Sequence, residues 1–341
     1  MLDSKYQPIL QPPSAFGALS HPRSPAIGIA LLSGFAGATA LLGVAYLVLA
    51  VTVILLPTDT EYLGIGISQL CAIDDCRLVD FLTHGRMSYG GVLVAVGVMS
   101  GWLTGGPLRR REAWAWWALL FAGVATYGSF LTFLAYGYLE PWHAAFVCIV
   151  SAIGITGLIL TRPHLGDKRG LVDAFRAPAA NGWLSSPRGR GRLIVGALAM
   201  GIGAGGISIL VIASSVVFVP QDTAFIGLDS AGISTLSERL VPIMAHDRAG
   251  FGGGMVAIAI LFAATAWRGL RLGEAGAWPA LAVSGLIYYV PTLVVHIAID
   301  YTSLVHLLPV YGGLAALFTA LLMLWTPLHR GSHEPHQFAD T

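Results

Sequence analysis

Residues 25–56 read PAIGIALLSGFAGATALLGVAYLVLAVTVILL, a run without a single charged side chain. A membrane helix needs about 20 mostly apolar residues to cross the hydrocarbon of a bilayer, so this run predicts a membrane span. Further runs along the chain meet the same requirement. The eight predicted spans are residues 25–56, 88–105, 113–138, 142–161, 191–219, 250–267, 276–299 and 304–326.

The overall composition supports the same class of protein. Of the 341 residues, 55% are hydrophobic and only 11% are charged, whereas a soluble globular protein has about 25% charged residues. This excludes a soluble enzyme and a disordered chain. A net charge of +1 gives no basic excess for nucleic acid, so the lipid bilayer is the predicted partner. We predict an all-α integral membrane protein with eight transmembrane helices.

The positions of the basic residues predict the orientation of the spans. The N-terminal tail (1–24), the linker 162–190, the C-terminal tail (327–341) and two short loops on the same side hold 15 of the 19 basic residues, when Arg192 at the start of the fifth span is counted with them. Cytoplasmic loops carry the excess of Lys and Arg, so both termini are predicted to be cytoplasmic. The long loops 57–87 and 220–249 then face the outer side of the cell inner (plasma) membrane.

Several motifs occur twice, at an offset of 162 or 163 residues. The pairs include Pro57-Thr58-Asp59-Thr60 with Pro220-Gln221-Asp222-Thr223, His84-x-Arg86-x-x-Tyr89-Gly90-Gly91 with His246-x-Arg248-x-x-Phe251-Gly252-Gly253, and Tyr138-x4-His143 with Tyr301-x4-His306. An even number of spans in each copy gives both copies the same orientation. We predict two duplicated four-helix bundles, residues 25–161 and 191–326, joined by the linker 162–190.

The repeated histidines are candidate metal ligands. His84 and His246 lie at the outer entrance of the second span of each half, and His143 and His306 lie at that of the fourth. Imidazole suits heme iron, copper or zinc, and facing helices of a four-helix bundle can each supply one histidine. Each half is therefore predicted to form its own histidine pair. The alternative is that these histidines are amphipathic residues at headgroup depth.

The arginines and glycines of the same motif fit a cofactor site. Arg86 and Arg248 can bind heme propionates or another anionic group through their planar guanidinium forks. Gly91 and Gly253 allow a flat macrocycle or a neighbouring helix to approach the backbone closely. Helix packing alone also accounts for the glycines, and contact with lipid phosphate accounts for the arginines.

Other polar residues have two interpretations each. Cys71 and Cys76 in the first outer loop can form a structural disulfide or a redox-active pair. Asp59 and Asp222 follow a proline, so they can cap a short interfacial helix or bind a ligand. His296 has no counterpart in the first half, and it can be functional or bond to a neighbouring helix.

Together these features resemble the heme A synthase family. That family has eight spans in two four-helix units, one histidine on the second and fourth span of each half near the outer face, and a cysteine pair in the first outer loop. The resemblance implies that His246 and His306 are axial ligands of a heme b, with His84 and His143 at a substrate-heme site. It also implies a membrane-bound, heme-dependent oxidoreductase with a membrane redox partner.

Two other functions fit the sequence. A transporter or lipid-binding protein would hold its ligand between the two repeats, where repeat-built transporters commonly bind their substrates. A structural or assembly subunit would use the long outer loops to bind other subunits of a membrane complex. The absorption spectrum and the metal content of the purified protein separate these functions from a heme protein.

Overall fold

The computed structural model describes residues 24–52, 55–132, 136–138, 141–166, 169–176 and 185–330. Residues 1–23 and 331–341, which make up most of the two predicted tails, lie outside the described residues, as do residues 167–168 and 177–184 of the predicted linker. All regular structure in the described ranges is helical, and no strand occurs there.

The described chain forms long helices separated by short ones. In chain order they are α1 (Ser24–Thr52), α2 (Pro57–Leu63), α3 (Ile67–Asp74), α4 (Arg77–Leu103), α5 (Ala113–Gly128), α6 (Pro141–Thr161), α7 (Leu171–Ala174), α8 (Pro187–Ala213), α9 (Pro220–Ile226), α10 (Ser230–Leu236), α11 (Leu240–Ala264), α12 (Ala277–Ala298) and α13 (Leu304–Arg330).

Eight of these helices are long and apolar enough to cross a membrane, which confirms the predicted class. They are α1, α4, α5, α6, α8, α11, α12 and α13. Two starts differ from the prediction, because α4 begins at Arg77 instead of residue 88 and α11 begins at Leu240 instead of residue 250. Hydropathy misses the first turns of α4 and α11 because these turns carry charged residues. The partners of those charged residues lie elsewhere in the protein.

The eight spans do not separate into two bundles of consecutive helices. Helix α4 packs along α1 and also along α12 of the second half, while α11 packs along α8 and also along α5 of the first half. Helices α4 and α11 contact each other as well. The second span of each half therefore lies against the third span of the other half, and the two predicted units are interleaved.

Two glycines explain how closely these helices approach. A Cβ atom on Gly91 of α4 would lie 2.5 Å from the carbonyl oxygen of Ile287 in α12. A Cβ atom on Gly253 of α11 would collide with Ser129, which follows α5. Small residues let helix backbones meet at such contacts. Both glycines are thus used in packing between the halves, one of the two uses predicted for them.

Four short helices, α2, α3, α9 and α10, lie at one end of the bundle, which we call the short-helix end. They share a hydrophobic cluster with the first turns of α4 and α11. The side chain of Asp59 accepts a hydrogen bond from the backbone N–H of Leu56, and Asp222 does the same for Val219, each at 2.8 Å. These bonds cap α2 and α9, because they satisfy an N–H group at the start of each helix.

Candidate metal centre and adjoining cavity

In the first half, the repeated motifs meet around one buried carboxylate. Asp59 Oδ2 lies 2.8 Å from the Nη2 atom of Arg86, and the hydroxyl of Tyr138 donates to Asp59 Oδ1 at 2.6 Å. Asp59 is 2% exposed and Arg86 is 7% exposed. Buried charges require partners of this kind, so the three motifs depend on one another.

The second half repeats this arrangement. Asp222 Oδ2 lies 2.5 Å from the Nη2 atom of Arg248, and the hydroxyl of Tyr301 donates to Asp222 Oδ1 at 2.9 Å. Burial raises the pKa of Tyr301, and the neighbouring Asp222 carboxylate raises it further. Tyr301 therefore keeps its proton and acts as a donor. Both arginines predicted to bind a cofactor form ion pairs with protein carboxylates.

Three histidines from three different helices come together near Asp222. They are His84 of α4, His296 of α12 and His306 of α13. The ring centre of His296 lies 4.2 Å from that of His84 and 5.0 Å from that of His306. One nitrogen from each ring lies within 4.8 Å of the other two. We call these three residues the histidine cluster.

The hydrogen bonding of His296 defines which ring nitrogen is free to bind. Its Nδ1 atom lies 2.6 Å from the carbonyl oxygen of Thr292, and because a carbonyl only accepts, Nδ1 must carry the proton and donate. The Nε2 atom then presents a lone pair. That atom is buried and has no hydrogen-bond partner in the described part of the chain, and His296 is 2% exposed. A histidine fixed through its other ring nitrogen is typical of metal sites.

His84 contributes a second unpaired nitrogen. Its Nδ1 atom is buried and, among the residues that the structure describes, has no hydrogen-bond partner. The ring of His306 lies 6.1 Å from that of His84, and it also stacks on Tyr301 with ring centres 4.5 Å apart. An uncharged imidazole with a buried, unpaired nitrogen lacks the hydrogen bond that water would give it, and a metal ion can replace that bond.

The histidine pairs differ from those predicted within each half. His84 lies beside His306, and His143 lies beside His246 at 5.8 Å between ring centres, so each pair joins the two halves. The cause is the interleaving, which brings α4 to the second half and α11 to the first. His246 also hydrogen-bonds through Nδ1 to Asp247 at 2.8 Å, and Asp247 lies 3.5 Å from Arg86 Nε.

A cavity of about 700 Å³ adjoins the histidine cluster. It lies among α4, α8, α11, α12 and α13, so helices of both halves form its wall. Most of the lining is apolar. The polar residues at one end are the three cluster histidines with Asp222, Asp247 and Arg248. Pockets for small molecules commonly combine an apolar wall with a few polar groups that fix orientation.

The two remaining predicted features lie away from this cavity. The sulfur atoms of Cys71 and Cys76 are 2.03 Å apart and form a disulfide between α3 and the start of α4. Gly91 and Gly253 face neighbouring helices, as described above. His296 is the member of the histidine cluster whose role the sequence left undecided. The signal in the sequence that could have identified His296 was that this histidine has no counterpart in the first half of the repeat.

Comparisons with protein-family models, with curated proteins and with solved structures found no match for this chain. The resemblance to the heme A synthase family therefore stays a prediction.

Proposed function

We propose that this polytopic membrane protein is a metalloprotein that binds one transition-metal ion through His84, His296 and His306. Two observations carry the proposal: one nitrogen from each of three rings on three helices lies within 4.8 Å of the other two, and the Nε2 atom of His296 is buried with no hydrogen-bond partner among the described residues. Three protein ligands with one open position are typical of catalytic metal sites. Here the open position would face the apolar cavity, so the bound ion could act on a molecule held there.

The distances suit a metal ion after a small adjustment. Zinc binds histidine nitrogen at 2.0–2.1 Å, so three nitrogens around a tetrahedral ion are about 3.4 Å apart. The nitrogens of the cluster lie within 4.8 Å of one another. Binding would draw them together by at most about 1.4 Å, which side-chain rotation on three helices can supply. Imidazole ligands suit zinc, copper and iron.

The histidine cluster fits a single ion better than a heme. A macrocycle held between His84 and His306 needs free space on every side of its iron. The ring of His296 occupies that space, because its centre is 4.2 Å from one ring and 5.0 Å from the other. The proposal therefore does not include heme b at this cluster. A Soret band in the absorption spectrum of the purified protein tests the heme prediction directly.

A second function has one observation in its favour. The cavity lies between helices of both halves, which is where a transporter built from repeats would hold its ligand. A transported metal must exchange readily with solvent, whereas a resident catalytic metal stays bound. Retention of the metal through dialysis against a chelator separates these two functions.

The experiment is metal analysis of the full chain, purified in detergent from cells supplied with heme and transition metals. We expect about one ion per chain in the natural protein. The ion should be lost in His296→Ala and retained in His329→Ala, because His329 lies at the opposite end of α13. Equal metal content in all three proteins would contradict the proposal. A Soret band lost on replacing His246 or His306 would favour heme.

Substitution of a buried histidine can also unfold a protein, so folding is measured in parallel. Size-exclusion profiles and helix content by circular dichroism are compared for the same samples. His296→Gln serves as a second variant, since it keeps a polar side chain but removes the imidazole nitrogen. Loss of the metal from a monodisperse, helical His296→Gln protein supports the proposal.

A further inference from the structure

We propose that the cavity opens sideways into the bilayer between α8 and α13 and admits a single-chain amphiphile with a carboxylate head. The head would bind at the metal centre, and the alkyl chain would lie along the apolar wall. This inference rests on the proposed function, because the bound ion supplies the charge that selects the head. It adds the route of entry and the chemical class of the ligand.

The opening follows from how α8 and α13 meet. At one end they pack closely, and a Cβ atom on Gly191 would lie 2.7 Å from Leu324 Cγ. Towards the short-helix end the two helices both line the cavity. There Gly201 of α8 and Gly312 of α13 are exposed, and a Cβ atom on either would meet nothing within 4 Å. Both line the cavity and reach the surface, so they mark an opening.

Two further residues belong to the same opening. Ser208 of α8 and Pro309 of α13 are exposed and line the cavity as well. We call the four residues Gly201, Ser208, Pro309 and Gly312 the portal. Apolar side chains beside it point away from the protein, including Ile207, which is 58% exposed, and Leu308, which is 61% exposed. On two membrane-spanning helices these positions face lipid tails, so the portal connects the cavity with hydrocarbon.

The dimensions of the cavity favour a chain-like molecule. Its lining residues run from Ile194 to Ile209 on α8 and from His306 to Ala316 on α13. At 1.5 Å per residue these stretches are about 22 Å and about 15 Å long. The cavity is therefore a slot parallel to the helices, with a length between about half and about three quarters of the roughly 30 Å hydrocarbon core. The histidine cluster closes its end near the short helices.

Charge selects the head of the ligand. Arg248 and Asp222 form an ion pair and neutralise each other, while Asp247 is engaged by Arg86 and His246. Asp59 and Asp247 share the single charge of Arg86, so one negative charge remains, and a divalent ion held by three neutral imidazoles turns this into a net charge of about +1 at this end of the cavity. A carboxylate oxygen would fill the open position on the ion and compensate that charge. An alkyl chain requires no polar partner from the apolar wall.

The experiment is photolabelling of the purified protein in lipid nanodiscs with a palmitic acid analogue that carries a diazirine in its chain. We expect labelled peptides from α8 and α13 near the portal, and protection by excess unlabelled palmitate. Gly312→Leu should reduce the labelling several-fold, because leucine fills the opening. Gly37→Leu is the matched control, since Gly37 is an exposed glycine on α1 with nothing within 4 Å of a Cβ.

Each result has a defined meaning. Labelling spread evenly over the lipid-facing helices, or labelling that palmitate does not reduce, would overturn the inference. The same follows if Gly312→Leu and Gly201→Leu, both monodisperse, label as strongly as the natural protein. The metal content of the same samples distinguishes the two proposals. Metal without specific labelling contradicts only the amphiphile, and specific labelling without metal contradicts the metalloprotein.

Discussion

Asp59 and Asp222 each perform three tasks with one side chain. Each carboxylate caps a short helix, binds an arginine two positions after a repeated histidine, and accepts a hydrogen bond from a tyrosine. The tyrosines precede His143 and His306 by five positions, so the carboxylates connect the polar residues at the entrances of two spans. These residues hold the histidine-bearing turns in place.

At the residue scale, the Asp59 carboxylate should be required for stability. Asp59→Ala leaves Arg86 buried without its closest carboxylate, and removing one partner of a buried ion pair typically costs about 3–5 kcal/mol. Chemical unfolding in detergent micelles measures this loss. Asp173→Ala is the control, because Asp173 pairs with Arg176 at the surface, where such pairs contribute about 0–1 kcal/mol. Equal stability of the two variants would show that the Asp59 pair is not structurally important.

The residues of the site could largely be identified from the sequence, but their partners could not. The repeat marked Asp59, Arg86 and His84 as a recurring set, because the same residue types returned at one offset. It did not show that Arg86 binds Asp59 instead of a cofactor. A carboxylate 27 positions earlier in the chain becomes a neighbour only through the fold.

At the scale of helices, α4 and α11 are the central elements. They are the most deeply buried spans, with 72% and 78% of their apolar windows inside the protein, whereas α1 has 28%. Each continues into a π-helical turn, Thr104–Leu108 after α4 and Thr265–Gly269 after α11. Hydropathy located both helices but not their early starts. Hydropathy could not predict the interleaving of the two halves either, because it carries no information about which helices pack together.

Close packing of α4 on α12 should depend on Gly91. Gly91→Ala places a Cβ 2.5 Å from the carbonyl oxygen of Ile287, and forcing extra atoms into a packed contact typically costs about 1–3 kcal/mol. We expect a lower unfolding temperature in detergent. Gly101→Ala on the same helix is the control, because a Cβ there meets nothing within 4 Å. If both variants unfold at the temperature of the natural protein, α4 and α12 are not in contact at Gly91.

At the scale of the whole molecule, the interleaving creates the candidate site. His84 comes from the first half and His296 and His306 come from the second, so neither half holds the cluster alone. The sequence repeat is also asymmetric at this point. His296 corresponds to Leu134, which lies outside the described residues, and Asp247 corresponds to Gly85. The two halves thus carry different polar groups at matching positions of the repeat.

The sequence could not reveal that the site is shared between the halves, because the repeat placed one pair of histidines in each half. Histidines at nearly equal spacing, 59 residues in one half and 60 in the other, favoured one histidine pair within each half. The structure instead pairs histidines across the halves and adds His296 to one of them. The membrane side on which the short-helix end lies stays a prediction from the distribution of basic residues.

X-ray absorption spectroscopy at the edge of the bound metal tests the central claim most directly, because it counts the ligands of the ion in the intact protein. We predict three imidazole nitrogens at about 2.0–2.1 Å, recognised by the additional scattering of their ring atoms, with one further oxygen ligand. His84→Ala and His306→Ala, from opposite halves, should each remove one imidazole from any ion that remains bound. A metal environment without imidazole, or one unchanged by both substitutions, would contradict a site shared between the two halves.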